Sequence, residues 1–368
     1  MKKCLFVIVL CFLSQFAAGQ TMSTEAFISS YAKEHNFNGT VLVQKNGRVS
    51  YARSFGFANF QFKVPDTNQT KYKIASITKA FTSVLILQLY EQGRLDLNKT
   101  IGTYLPDYKG EAADKVTVQQ LLNHTSGLEN FDQVKSAEDA IKNGLPVYQR
   151  PYTSDELLTK FCSGKLVNTP GKNFDYNNGD YIILGKILER IYGTTYDEVL
   201  AKQLLQPLKM TDTGVMHQSK IVSGLADTYF FRDDLKALAN DFPVYPENWF
   251  AAGAMYSTAS DILKFSNALF GLKLIKKETF ALMLKPGLDD YGFGVWSYDV
   301  TIDGKKTWVF KRPGQIMGAQ TQLYRLMDFD ITVIILSNTG TTDLDQFVAQ
   351  IGKKVAAPNA RSVAKGRS

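Results

Sequence analysis

The chain has 368 residues, 45% of them hydrophobic and 21% charged, which is enough apolar surface for a sizeable core in one large domain or two intergrown ones. Its net charge of +7 sits at the two ends, on Lys2 and Lys3 and on Lys353, Lys354, Arg361, Lys365 and Arg367. The body between them is neutral, which argues against a basic face for nucleic acid. The three histidines, His35, His124 and His217, stand far apart with no His-Glu-x-x-His, so no metal or other cofactor is expected.

Residues 1–19 read as an export signal: Lys2 and Lys3, an apolar run from Leu5 to Leu13, then Ala17-Ala18-Gly19 as a small-residue cleavage site. A periplasmic or secreted protein is expected, with no stable membrane span, because the run is short for crossing a bilayer. Leu10 stands before Cys11 where an acylated lipoprotein wants a small residue. Cys4 and Cys11 leave with the signal, so Cys162 remains alone and no internal disulfide can form.

After a short helix around Ser29 to Ala32, the run from Gly39 to Gly56 reads as two strands joined at Asn46-Gly47, the strongest short hairpin signal. A buried helix follows from Ser76, apolar nearly all round at Ala80, Phe81, Val84, Leu85, Ile86, Leu87 and Leu89. The middle, about residues 107–257, reads as helical with long loops, clearest at Val118 to Leu122, Ser154 to Cys162, Asp180 to Tyr192 and Tyr196 to Leu205. Four strands are expected at Tyr291 to Trp296, Thr307 to Phe310, Ala319 to Arg325 and Ile331 to Leu336, and a last helix from about Asp343. The fold class is therefore α/β of the α+β type, with one antiparallel sheet built from both chain ends, flanked by helices, and a helical region inserted between. One domain spans 20–352, its α/β part about 20–106 and 258–352, and a basic, disordered tail covers 353–368.

Within the buried helix, Ser76 and Lys79 lie three residues apart on one face, so an unprotonated Lys79 amine can take the Ser76 proton. Ser76 sits where the helix begins, with its N–H free and the positive helix end favouring an oxyanion. Ser-x-x-Lys occurs twice more, at Ser30/Lys33 and Ser362/Lys365, but neither has an apolar surround that would exclude water. A lysine inside an apolar helix is costly unless something uses it. About a hundred residues later stands the only Tyr-x-Asn, at Tyr176 and Asn178, on a loop before an apolar helix. Tyr176 suits a proton relay and Asn178 suits holding a substrate carbonyl.

With Ser76-Ile-Thr-Lys79, Leu121-Leu-Asn-His-Thr-Ser-Gly-Leu128, Tyr176-Asn-Asn178, Phe250 to Ile262 and Tyr291-Gly-Phe-Gly-Val-Trp296, the chain resembles serine hydrolases of the class C β-lactamase and low-molecular-weight penicillin-binding protein type over about Phe37 to Leu336. The resemblance implies that fold, with Ser76 as the acylated nucleophile, Lys79 as its base, Tyr176 as proton-transfer partner and Asn178 as a substrate contact. The family's third motif, Lys-Thr-Gly or His-x-Gly, falls near Lys311-Arg-Pro-Gly-Gln315, with Arg312 where Lys or His is usual. Strand parity puts Arg312 and Gly314 on one side, so Gly314 is expected to clear room for a substrate beside an Arg312 suited to carboxylate capture. The Gln315 N–H would be the second oxyanion donor, and Pro313 costs the ladder nothing at an open edge. A one-residue bulge would instead bring Lys311 to the site.

His124 and Ser126 are read as a capped turn rather than part of a triad, and no Gly-x-Ser-x-Gly elbow or phosphate-binding loop occurs. The expected function is an exported serine hydrolase of small amides or esters: D-amino-acid peptides, short acyl esters and, less favoured, β-lactams. The alternative is a non-turnover ligand-binding or sensing module on the same scaffold, motivated by Arg312. The partner is a small-molecule substrate, not nucleic acid, and oligomeric state stays open.

Overall fold

The structure, a computed structural model, describes residues 22–133 and 136–357. The expected export signal, Arg361, Lys365 and Arg367 lie outside the described residues. Ser23 caps helix α1, Thr24–Glu34, accepting the Ala26 N–H, and the helix buries Ile28, Tyr31 and Ala32 on one face. Strands β1, Gly39–Lys45, and β2, Arg48–Phe55, form the expected hairpin. Asn46 and Gly47 both adopt positive φ, 50° and 71°, as a two-residue hairpin turn requires.

A 3-10 turn over Ala75–Ile77 leads into α2, Thr78–Glu91. In the middle region come α3, Val118–Leu122, and α4, Ser154–Phe161, each started by a reciprocal cap, Thr117 with Gln120 and Thr153 with Glu156. Next is α5, Asn178–Tyr192, ended by Gly193 in the left-handed conformation, and then α6, Tyr196–Leu200, which runs into a π turn over Ala201–Leu205. Helix α7, Ala259–Phe270, precedes strands β3, Trp296–Ile302, β4, Lys305–Ile316, β5, Ala319–Leu326, and β6, Ile331–Ser337, and α8, Leu344–Ala356, comes last.

The six strands form one antiparallel sheet in the order β3-β4-β5-β6-β1-β2, joining the two ends of the chain as expected. Strand β6 is buried along its whole length, and its side chains divide by parity. Ile331, Val333 and Ile335 pack with α1 and α8, while Ile334 and Leu336 face the larger core of α2, α5 and α7. The sheet is thus covered on both faces, and the Ser76 turn stands at the end of α2 against β4. Among the described residues no helix is long and apolar enough to cross a membrane.

Three expectations change. Tyr291 to Val295 is a tight turn closed by a single bridge from Tyr291 to Trp296, and the strand begins only at Trp296. Gly294 at φ 80° explains it, because a Cβ there would strike Ser83 Oγ and Tyr181 OH. The middle region also carries strands: a hairpin of Tyr229–Arg232 with Ala237–Asn240, and Met255–Ser257 between Tyr72–Lys73 and Gly214–Val215. Finally, Lys353 and Lys354 belong to the last turn of α8, where cations suit the negative helix end, so a tail beginning at 353 starts too early.

Candidate active site

Ser76 stands in the 3-10 turn before α2, directly after Ala75, a buried residue held at φ 47°. A non-glycine residue at positive φ is uncommon and strained, and here it turns the backbone so that Ser76 faces the cleft. Lys79, one turn on, is wholly buried. Its Nζ lies 3.1 Å from Ser76 Oγ, 2.6 Å from Asn178 Oδ1 and 2.9 Å from the Ala252 carbonyl oxygen. Burial pulls this amine below the ordinary lysine range, with Tyr176 opposing and Arg312 adding to the fall.

Tyr176 OH lies 2.8 Å from Ser76 Oγ on one side and 2.7 Å from Arg312 Nη2 on the other. Burial alone would raise the phenol, but the charges of Arg312 and Lys79 outweigh it and bring the group down to about 8. Four of the five Arg312 N–H groups are engaged: Nε donates to the Pro313 carbonyl at 3.0 Å, Nη1 to Tyr291 OH at 2.7 Å and the Gly294 carbonyl at 3.2 Å, and Nη2 to Tyr176 OH. Arg312 is 1% exposed, and its guanidinium stands within 6.0 Å of the ring centres of Trp296, Tyr176 and Tyr291. The expectation that Arg312 captures a substrate carboxylate does not fit this placement. Its side chain supports Tyr176 from behind because the turn at Gly294 brings Tyr291 and a carbonyl oxygen to it.

Lys311 does not replace it. The β3–β4 and β4–β5 registers run without a shift, and Lys311 Nζ is held by Asp345 at 2.8 Å rather than beside Ser76. Asn178 is also turned inward: its Oδ1 accepts from Lys79 and its Nδ2 donates to Asp132 Oδ2 at 2.6 Å. Tyr148 OH donates to the same Asp132 oxygen, so Asp132 fixes which end of the amide faces the lysine. Asp132 was not foreseen, since it reaches Asn178 through a loop with no periodicity or motif.

Gly314 has a different role from the expected one. A Cβ built on it would stand 2.6 Å from the Ile74 carbonyl oxygen and 2.9 Å from Ser76 N, so the glycine lets β4 approach the nucleophile turn itself. The β3–β4 pairing ends at Trp296 with Lys311, which leaves residues 312–316 of β4 as a free edge. Gln315 is exposed on it, and by strand alternation its N–H faces the side that the Pro313 nitrogen faces.

Beneath Tyr176 lie His124 and Asp180, both fully buried, with Nδ1 and Oδ2 2.9 Å apart. Burial, with Lys79 and Arg312 nearby, keeps the imidazole well below its usual range, and burial holds the Asp180 carboxyl well above its own. Burial thus favours the uncharged form of each partner. The His124 ring packs 4.4 Å from that of Tyr176, and the Asn177 N–H donates to Nδ1 at 3.3 Å. Ser126 accepts from the Leu128 N–H, so His124 and Ser126 form no catalytic pair. A cavity of about 440 Å³ opens onto Ser76, Tyr176, Trp296, Arg312 and Gln315.

A hydroxyl between a buried amine and a phenol at a sheet edge, on a mixed α/β scaffold, defines a serine hydrolase. The chain belongs to the β-lactamase family, whose model matches residues 24–356. It is 26% identical over 337 residues to Penicillin-binding protein 4* of Bacillus subtilis, covering 85% of this chain and 71% of that one. It is 33% identical over 184 residues to Protein flp of Staphylococcus aureus, but that match covers only 49% of this chain and 35% of the relative. Among solved structures, a penicillin binding protein from Bacillus halodurans superposes with a TM-score of 0.74 at 25% identity, covering 88% of this chain and 98% of the other. D-amino acid amidase from Ochrobactrum anthropi shares the fold with a TM-score of 0.76 at 23% identity, covering 94% and 100%.

Proposed function

We propose that the protein is an exported hydrolase, periplasmic or secreted, that cleaves small amides or esters through an acyl-enzyme on Ser76. D-amino-acid peptides and amides and short acyl esters are the favoured substrates, with β-lactams less so. The observation that carries this reading is the surround of Lys79 Nζ. Two of its three neighbours, Asn178 Oδ1 and the Ala252 carbonyl, can only accept hydrogen bonds. A neutral amine has two N–H groups for them, and its lone pair is then left for the Ser76 hydroxyl.

Ser76 Oγ bonds to the substrate carbonyl carbon while its proton passes to Lys79, and the carbonyl electron pair moves onto oxygen, received by the N–H groups of Ser76 and Gln315. The bond to the leaving atom then breaks as that atom takes the proton of Tyr176 OH, and the phenolate stays beside the Arg312 cation. In the second half, Tyr176 takes a proton from water, the resulting hydroxide attacks the ester, and Ser76 Oγ recovers the proton held by Lys79. Each residue ends as it began. Arg312 acts through Tyr176, and Asp132 acts through Asn178.

The names of structural relatives point the same way in substrate class: a D-amino acid amidase, a D-stereospecific amidohydrolase and a hydrolase with promiscuous acyltransferase activity. Turnover of p-nitrophenyl acetate that disappears in Ser76→Ala, with the fold retained by circular dichroism, is the expected result. Intact-protein mass spectrometry with a fluorophosphonate should add one phosphonyl group to the wild type and none to that variant. A stable acyl adduct without released product would point to a non-turnover module. Loss of residues 1–19 from protein recovered outside the cytoplasm tests the export step.

A further inference from the structure

The cleft continues past Ser76 along the free edge of β4 to the start of α8, and its far wall holds Asp343 and Asp345. Among the described residues the one cation in the lining is Arg312, whose N–H groups are largely engaged as described. Lys311, beside it, is tied to Asp345. Asp345 also accepts from Gln322 Nε2, and Asp343 gives one oxygen to the Gln346 N–H at the helix cap, leaving the other unengaged among the described residues. Gln322 lines the same cavity, is 3% exposed and has no partner for its Oε1. With Lys311 set against Asp345, the wall keeps an excess of one carboxylate, and the unengaged oxygen of Asp343 is its free acceptor.

Its position selects the leaving side of the substrate. Tyr176, which protonates the leaving atom, is held by Arg312; the neighbouring β4 residue Pro313 pairs with Gln322, and Lys311 reaches Asp345. A leaving group that emerges beside the phenol and follows this edge meets the two carboxylates. On the basis of the hydrolase reading above, we propose that the Asp343–Asp345 wall receives a cationic group on the leaving part of the substrate. The enzyme then favours esters and amides that release an ammonium-bearing alcohol or amine over those that release a free carboxylate, such as a C-terminal amino acid.

Three acetyl thioesters with one acyl group and matched leaving thiols test this: cationic thiocholine, its neutral isostere 3,3-dimethylbutanethiol, and anionic 3-mercaptopropionate, with thiol release followed by Ellman's reagent. In wild-type protein at low salt, kcat/KM should fall in that order, by about tenfold from cation to anion, and the spread should narrow as salt rises. The cation-to-anion ratio should shrink in Asp343→Asn. It should shrink further in Asp345→Asn, which also releases Lys311. Equal rates for the three thioesters, an anion preference, or an unchanged ratio in both variants would overturn the proposal while leaving the hydrolase reading intact. No turnover of any thioester together with no fluorophosphonate label on Ser76 would bring down both.

Discussion

Lys79 and Tyr176 flank one hydroxyl, and between them they must hold a single mobile proton for the site to work. With two protons, Ser76 faces an ammonium and a phenol and has no base; with none, the leaving atom has no acid. Such a pair titrates as a unit. Because Tyr176 is brought down to about 8, kcat/KM for p-nitrophenyl acetate should rise with pH along a limb centred near 8. Arg312→Gln removes the nearest cation from the phenolate, so the same limb should move to higher pH and kcat should fall. An unmoved limb would show that Arg312 does not act through Tyr176. Tyr176→Phe should lower kcat by about 10²- to 10⁴-fold with little change in KM, the usual range for losing a general acid–base group. That Ser76 and Lys79 meet was legible from their spacing, whereas Tyr176, which comes to the same hydroxyl, was singled out through the family resemblance and not by spacing alone. Arg312 and Asn178 were found but given the wrong neighbours, since Tyr291 and Asp132 reach them through turns that carry no periodic signal.

At the scale of elements, β4 and the turn before α2 meet at a place where only hydrogen fits. Gly314→Ala puts a methyl group within 2.9 Å of Ser76 N and 2.6 Å of the Ile74 carbonyl. Strand and turn must then part by a few tenths of an ångström, and the two amide donors no longer converge on one oxygen. Activity should drop by about 10²- to 10³-fold, the cost of losing one oxyanion donor, while the far-ultraviolet circular dichroism stays unchanged. The β1–β2 hairpin was readable because Asn46-Gly47 codes its own turn. The Tyr229–Asn240 hairpin was not, because its turn runs through Asp233, Asp234, Leu235 and Lys236, with Lys236 at φ 50° and no glycine to announce it. Tyr291 to Trp296 reads as a strand by composition, and the close approach of Gly294 to Ser83 and Tyr181, which bends it, is a tertiary fact.

For the whole molecule, one face of the sheet depends on elements from opposite ends of the sequence. Phe347 of α8 is fully buried and stacks on Tyr31 of α1 at 4.2 Å, and Tyr31 OH donates to Gln346. Phe347→Ala should cost about 3–5 kcal/mol, the range for emptying an aromatic site in a core, read as a lower urea midpoint with an unchanged slope. A change smaller than about 1 kcal/mol would mean that α8 is not part of the cooperative core. The nearly unbroken apolar run from Ile331 to Leu336 made this strand legible from sequence, because a strand buried on both faces is apolar throughout.

The Thr321 hydroxyl that donates to the Ile74 carbonyl, just before the nucleophile, is contributed 247 residues downstream. A ribosome that has delivered α2 has made both hydroxyl and amine, yet the partial chain lacks the strands that hold and dry them. In that wet state the amine keeps its proton and the serine is as inert as any other. Reactivity therefore arrives late in synthesis, and a prematurely terminated product has no means of acylating itself or its neighbours.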